Sequence, residues 1–596
     1  MPVVQSLAAL FKSSGNVLID WTLAVVLVVA GVCAATYAVT SLQFYLGSLN
    51  DANGLKEKRK PLTVPYWIPY LGSALSMIDM HGLNSTLARK SQASRPLRVK
   101  VGPKDIYLVF GPENMRQLFQ NSRQLAMKAR VSSLFAVNNV PPADLHLIKS
   151  DCSGEGPTPL YDIAPEKRIW RNAIELFATH LSAGPAVNEL TNKFREEFVK
   201  QLRTFSDEQF VSITLYKFLQ KYMLIASALA FTGEELFTQN PDWHEVLWEY
   251  DAAFLLLNLD LPRWLVPGVH AARDKMKASV VKWFEAAHFK DDLKTSGDPS
   301  WEPVWGSRFW RVLVRNFLDL GTSLEGAAAG SLTTMWATHS NAIPATVWML
   351  FEILSRPSLH ADITTELSTS LTSSSPPTFD LDKLLALPLL NSVYKEVLRI
   401  RTSTIMYREA MTDVSIGDTI LPKGAVIMAS SWPAHTNPHN WASYPIPPSI
   451  SATTKRGSAT STRSSTLSPM EFDPWRILAV ERIKHDHNAT KADKDRAAAA
   501  LSPNNFFPWG GGSHMCAGRY FAKQEILIAV ATLLAGFDIK VVGWEKPRKG
   551  WEEDSNGGHP ISQQSERPAE PDISYAGSGV LPPDRDLRVK FKRKAW

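Results

Sequence analysis

The stretch FFPWGGGSHMCAGRYFAKQEI, residues 506–526, sets one cysteine behind three consecutive glycines and a histidine, just ahead of a helical pattern. Glycine lets the backbone turn, or approach a flat surface, where a side chain would collide. A cysteine at a helix start sits where the positive end of the helix dipole favours a thiolate. Together these point to a flat ligand with sulfur as its anchor. The competing reading is a structural cysteine beside a phosphate-binding glycine loop. Such a loop needs a following Gly-Lys-Ser/Thr, which is missing here.

The 596-residue chain is 45% hydrophobic and 20% charged, enough apolar mass for a substantial ordered core. A formal net charge of +6 is a modest basic bias that suits a membrane surface or an acidic protein partner. No dense Lys/Arg array argues for nucleic acid. Three cysteines, Cys33, Cys152 and Cys516, form neither a zinc pattern nor a disulfide framework, which fits a reducing compartment.

Residues 1–20 form an N-terminal segment, and the uncharged WTLAVVLVVAGVCAATYAVTSLQFYL from Trp21 is long enough to span a bilayer. The run is too long for a signal-peptide core and lacks a basic region directly before it. An anchor is expected over 21–45. The basic KEKRK (Lys56–Lys60) that follows places the bulk of the chain on the cytosolic side. A basic, Pro-rich linker is expected over 46–70 and a single catalytic domain over 71–596. Within that domain, PLRVKVG and DIYLVFG alternate like a hairpin, helical periodicity dominates from about 165 to 400, and short strands return near the end. Residues 442–470 are rich in Ser, Thr and Pro and are expected to be a low-complexity insertion. The fold class expected is mainly α with small β-sheets.

The cysteine loop resembles the haem-binding signature of the cytochrome P450 family, Phe-x-x-Gly-x-(Arg/His)-x-Cys-x-Gly. Gly512, His514, Cys516 and Gly518 match, with Trp509 in place of Phe. The resemblance implies the cytochrome P450 fold with haem b (iron protoporphyrin IX), whose iron takes the Cys516 thiolate as axial ligand. It also implies a haem propionate partner in His514, another in Arg408 of MYREA, and backbone clearance at Gly512 and Gly518. Upstream, LLNSVYKEVLRIR holds Glu396 and Arg399 on one helix face. With AHTNPHNW and FDPWRIL following in the family's order, Arg476 is expected to complete a structural Glu-Arg-Arg cluster. No Trp-x-x-x-Arg helix matches, and Arg168 or Arg171 stands in as a propionate contact.

The oxygen side has two competing registers in a long central helix. AGSLTT (Ala329–Thr334) fits the family's common pattern in letters but lacks its acid. ATHSNAIPATVW (Ala337–Trp348) resembles the branch of sterol 7α- and 12α-hydroxylases and prostacyclin synthase, where Asn replaces Thr ahead of a Pro. The second is preferred, because Pro344 has no N–H for the Ser340 carbonyl and opens the helix beside Asn341. Asn341 and Ser340 are the candidate catalytic residues. Substrate walls are expected at Thr402 and Ile405 and at Gly579 and Val580.

The function implied is an endoplasmic-reticulum, single-pass monooxygenase with its catalytic domain in the cytosol, oxidising an apolar sterol, terpenoid or other secondary metabolite. Its electrons would come from an NADPH-cytochrome reductase, with cytochrome b5 as a second donor, docking near Lys395, Arg519 and Lys523. An alternative is a haem-thiolate isomerase or dehydratase of a peroxide lipid, needing no reductase.

Overall fold

The computed structural model describes residues 17–52, 60–77, 79–90, 95–121, 124–291, 293, 299–441, 468–546 and 564–596. Residues 442–467 of the expected insertion, and all of the basic cluster but Lys60, lie outside them. Two compact units divide the described chain: residues up to Leu118 with Arg408–Ala429, and Phe119–Tyr407 with Ser430–Trp596.

The smaller unit begins with a helix over Val17–Ala52, longer than the 21–45 expected. Its Trp21–Leu49 portion is exposed and averages a hydropathy of 2.3, the only described helix apolar and long enough to cross a membrane. The Pro-rich segment behind it does not run free. Trp67 stacks on Tyr37 with ring centroids 4.2 Å apart, and Leu62–Thr63 pairs with Leu97–Arg98. The expected hairpin is present, Leu97–Val101 against Lys104–Leu108, and Val426–Met428 adds in parallel beside Ile106–Leu108. Alternation puts Leu97, Val99, Ile106 and Leu108 on one inner face. Arg408 is buried within this unit.

The larger unit is a helical body with short strands at its edges. Its central segment is two helices rather than one, Leu324–His339 and Ala342–Leu354, and the second is buried on every face. Ser323 caps the first, its Oγ accepting from the Gly326 N–H. The break falls at Ser340–Asn341, where Pro344 offers no N–H to the Ser340 carbonyl; the ladder resumes with Ala345 N–H to Asn341 O at 3.2 Å. Ala329–Thr334 is uninterrupted helix. Phe537–Glu545, Asp586–Arg593 and Val211–Thr214 form an antiparallel sheet, and Thr402–Thr404 pairs with Ser578–Val580.

At the heart of this unit is a buried ion cluster. The helix Pro388–Arg401 places Glu396 and Arg399 one turn apart, and Arg476 begins the helix Arg476–His485. Arg399 Nε and Nη2 donate to the two Glu396 oxygens at 2.8 Å each, and Arg476 Nε donates to Oε1 at 3.1 Å. Burial alone would raise the Glu396 pKa. The Arg399 charge and hydrogen bonds, then those of Arg476, outweigh it and hold the carboxyl below its ordinary value. Remaining donors are used as well: Arg399 Nη1 reaches His435 O and Arg476 Nη1 reaches Trp441 O, both at 2.7 Å. Glu396→Ala leaves two buried guanidinium groups without their anion, and we expect it to cost about 3–5 kcal/mol, seen as a lowered urea midpoint. Because folding depresses this pKa, the cluster's contribution is present above the unfolded carboxyl value and lost as pH falls below it. An unchanged midpoint in the variant would refute the bracing role.

Candidate active site

The loop after Phe506 closes on itself before its helix begins. The Cys516 N–H donates to Trp509 O at 3.0 Å, and Gly512–His514 makes a 3-10 turn inside that closure. Gly512 has φ +70°, and a Cβ there would lie 2.8 Å from the Phe119 carbonyl oxygen, so only glycine fits. Gly518 is different: its φ is ordinary, and an added Cβ would meet Cys516 Sγ at 3.8 Å, a normal contact. Its use is its backbone N–H, which with that of Arg519 is directed at the sulfur.

Cys516 is exposed, yet burial among neighbouring protein atoms pushes its thiol pKa up. The Gly518 N–H, the Arg519 charge and the Arg519 N–H pull the other way without prevailing. The helix-start N–H groups act toward the thiolate as the sequence leads one to expect, but burial is the larger influence. Among the described residues no group of three or more His, Cys, Asp or Glu could hold a metal.

His514 Nε2 lies 3.1 Å from Glu155 Oε2, and the other Glu155 oxygen accepts the Met127 and Lys128 N–H groups at the start of the helix Lys128–Val137. Glu155 was not singled out in the sequence; nothing in its local pattern marks it. Arg168 is spent on the same loop, donating to Gly156 O at 2.6 Å and Pro157 O at 2.9 Å, and Arg171 pairs with Glu175 at 2.7 Å. The proposed docking cations are also engaged: Lys395 with Glu481 at 2.7 Å, Arg519 with Cys516 O at 2.8 Å, and Lys523 with Leu385 O at 3.2 Å.

A second residue missed in the sequence is His435, within the AHTNPHNW motif. Its carbonyl accepts from Arg399, while its Nε2 accepts the Phe507 N–H at 3.0 Å. It thus ties the ion cluster to the first turn of the cysteine loop. Burial, then the Arg399 charge, pushes its pKa down to about 3, so the ring is neutral with the acceptor nitrogen available.

On the other side, the two segments named as substrate walls meet as a ladder, Thr402 opposite Val580 and Ser403 opposite Gly579. Thr402 and Val580 are buried; Ile405 is partly accessible. Asn341 joins this ladder to the broken helix. Its Oδ1 accepts the Val580 N–H at 2.8 Å, and its Nδ2 donates to Ser340 Oγ at 3.2 Å. A Cβ at Gly579, φ +139°, would lie 2.0 Å from that Oδ1.

Comparison with known proteins shows the family to which the chain is similar. A family model described as Cytochrome P450 matches residues 62–445 and 468–555. Cytochrome P450 monooxygenase calL of Penicillium decumbens is 28% identical, the match covering 89% of this chain and 95% of the relative. Cholesterol 7-alpha-monooxygenase of Cricetulus griseus is 24% identical over 65% of this chain and 67% of its own. Lanosterol 14-alpha demethylase of Candida tropicalis is 23% identical over 83% and 87%.

His435→Leu removes the acceptor for a buried N–H, which should cost about 1–3 kcal/mol. In the native chain the folded pKa lies below the ordinary 6.5, so stability is complete above 6.5 and falls as pH drops toward about 3. Urea midpoints of the variant should vary less across that window; equal slopes in both proteins would sink the assignment.

Proposed function

The chain belongs to the cytochrome P450 family, whose members are haem-thiolate monooxygenases, and from this premise we propose that Cys516 is the axial ligand and an apolar sterol- or terpenoid-like molecule the substrate. The accessible but desolvated thiol, faced by two backbone N–H groups, is the observation that carries the ligand assignment. The donor set fits haem: one sulfur from the protein, glycine at the tight approach of Gly512, and Trp509 closing the turn. Cys516 would hold the iron as a thiolate, the metal's charge offsetting the burial that raises the thiol pKa in the free chain. When bound, the haem supplies dioxygen activation and oxygen insertion into a C–H bond.

This chain's own residues do the rest. Glu396, Arg399, Arg476 and His435 hold the loop that presents the sulfur. His514 is assigned to a haem carboxylate, and the Glu155 contact fixes the His514 ring in one orientation. Asn341 spends its oxygen on Val580, which leaves the second Nδ2 proton to donate to a substrate oxygen. Ser340 shares that opening. Ile405, Thr402, Gly579 and Val580 bound the apolar space, which suits a lipid-like molecule. The relatives named as sterol enzymes support that class. Electrons are assigned to an NADPH-cytochrome reductase, with cytochrome b5 as a second donor. The exposed N-terminal helix supports a single-pass seat in the endoplasmic reticulum membrane with the catalytic part cytosolic. No relative named above is an isomerase, and that alternative is not carried further.

The test is purification of the full chain with haem in lipid nanodiscs, followed by turnover of a sterol and terpenoid panel with reductase and NADPH. Cys516→Ala should abolish the thiolate-type red-shifted Soret band of the reduced carbon monoxide complex; a surviving band means a different ligand. Asn341→Ala and Gly579→Ala should keep that band but lower turnover by about tenfold, the equivalent of one hydrogen bond. Full activity in both variants would remove Asn341 from the reaction.

A further inference from the structure

Arg273, Arg311, Arg399, Arg401, Arg476 and Arg588 are buried or partly buried in the larger unit, and each donates to a carboxylate. Arg130 is partly buried as well, and it has no such partner. Among the described residues its guanidinium has one hydrogen-bond acceptor, Asn258 Oδ1, reached by Nη2 at 2.9 Å. Nε and Nη1 are left without an acceptor among those residues, so most of the fork of five donors is unspent. Arg130 also stands in the first turn of the helix Lys128–Val137, where the helix dipole disfavours a cation. Burial pushes its pKa below the ordinary value, and the nearby Tyr407 opposes that shift without prevailing.

Direct contacts tie this guanidinium to the elements of the site. Its central carbon lies 5.8 Å from the centroid of the Tyr407 ring, in the strand Thr402–Ala410. Alternation along that strand puts Tyr407 and Ile405 on one face and Met406 on the other. Met406 turns to the cysteine loop, its Sδ 3.8 Å from where a Cβ at Gly510 would stand. Ile405 turns to the opposite wall, its Cδ1 3.1 Å from the Cβ position of Gly577. Arg130 therefore shares the face of Ile405, assigned above to the substrate wall, and not the face that meets the cysteine loop. Asn258 is fixed in turn: its Nδ2 donates to Phe254 O at 2.6 Å, which directs Oδ1 at Arg130, and the Phe254 ring stacks on Trp336 of the central helix with centroids 3.6 Å apart. The helix that carries Arg130 is held at both ends. Glu155 accepts from its first N–H groups and meets His514, while Asn138 at its far end accepts from the Tyr250 hydroxyl at 2.6 Å and donates to Thr333 of the central helix at 2.8 Å.

A partly buried cation with no anion beside it is costly unless a ligand brings the missing charge. A hydrocarbon or a neutral hydroxyl leaves the charge uncompensated. A carboxylate supplies it and matches the planar fork, accepting two parallel N–H groups at once. We propose that Arg130, oriented by Asn258, is a carboxylate anchor that selects apolar acids: a sterol- or terpenoid-like skeleton with one carboxylate placed away from the oxidised carbon. The haem brings carboxylates of its own, but the face of the strand that Arg130 covers is the one turned from the cysteine loop, which favours the substrate as the source. Arg130 is the specificity-determining contact and Asn258 a positioning residue. The inference rests on the reading of Cys516 as the haem ligand and of the space beside Ile405 as the seat of an apolar substrate.

The experiment measures equilibrium binding by the substrate-induced Soret shift, using the full haem-loaded chain in nanodiscs. The probes are oleanolic acid, lithocholic acid and farnesoic acid, each against its methyl ester, which keeps the skeleton and removes the charge. Each affinity is compared between wild type and variant, so that the probe's own partition into lipid cancels. Arg130→Leu should weaken at least one acid by about tenfold or more and its ester by less than about twofold. Arg130→Lys keeps the charge without the fork and should restore part of the loss. Asn258→Ala should weaken the same acid and leave the ester unmoved. If the leucine variant does not take up haem, Arg130→Gln carries the test. No acid bound by the wild-type chain, acid and ester weakened alike, or no weakening of either overturns the anchor. Loss of haem from both the leucine and the glutamine variants, read as pyridine haemochrome content, also overturns it and gives Arg130 to a haem carboxylate. Absence of the thiolate-type band from the wild-type chain would instead overturn the Cys516 assignment, and the anchor with it.

Discussion

Glu396 carries its negative charge fully buried, and most of the surrounding geometry follows from how that charge is neutralised. Two arginines from separate helices converge on it, and their spare N–H groups reach the carbonyls of His435 and Trp441. An ion cluster of this kind contributes little as a source of stability compared with an apolar replacement. Its value is directional. Each guanidinium has a planar fork of donors, so satisfying all of them fixes the relative placement of three stretches of chain. The position of His435 is one result, and through its Nε2 the first turn of the cysteine loop is set as well.

The contact between the central helices and the Ser578–Val580 strand is built on a missing hydrogen bond rather than on a strong one. Pro344 withholds an N–H from Ser340, the helix parts, and Asn341 turns its amide oxygen to the Val580 backbone. The side chain thus replaces part of the lost ladder with a tertiary contact. Gly579 is the counterpart of that contact, because any side chain there would occupy the space of the amide oxygen. A local weakness in one helix becomes the point at which a distant loop is secured.

Cys516 shows how competing effects are decided by magnitude. Helix-terminal N–H groups and the Arg519 charge favour a thiolate, while the surrounding atoms disfavour it, and burial is the larger influence in the free chain. A desolvated sulfur is a strong donor once a cation provides the compensating charge. The same burial that opposes ionisation therefore favours a metal partner over exposure to water.

Much of this was legible from the residues alone. Spacing within PWGGGSHMCAG, the Glu-x-x-Arg helix and FDPWRIL carried the resemblance to the family and the ligand candidate, and the apolar N-terminal run marked the long exposed helix, because each is a local pattern; Arg476 entered the brace only through that resemblance. Pro344 located the helix break for the same reason: a missing N–H acts four residues away. The tertiary structure alone decided that Asn341 binds Val580, that Glu155 meets His514, that His435 joins the brace to the loop, and that Asp251 accepts from Trp336. These contacts join residues 72 to 359 positions apart, or are set by which side of a buried helix faces a cavity. Local chemistry is written in spacing, but hydrogen bonds between distant segments arise only when folding removes water and leaves each buried donor to find an acceptor.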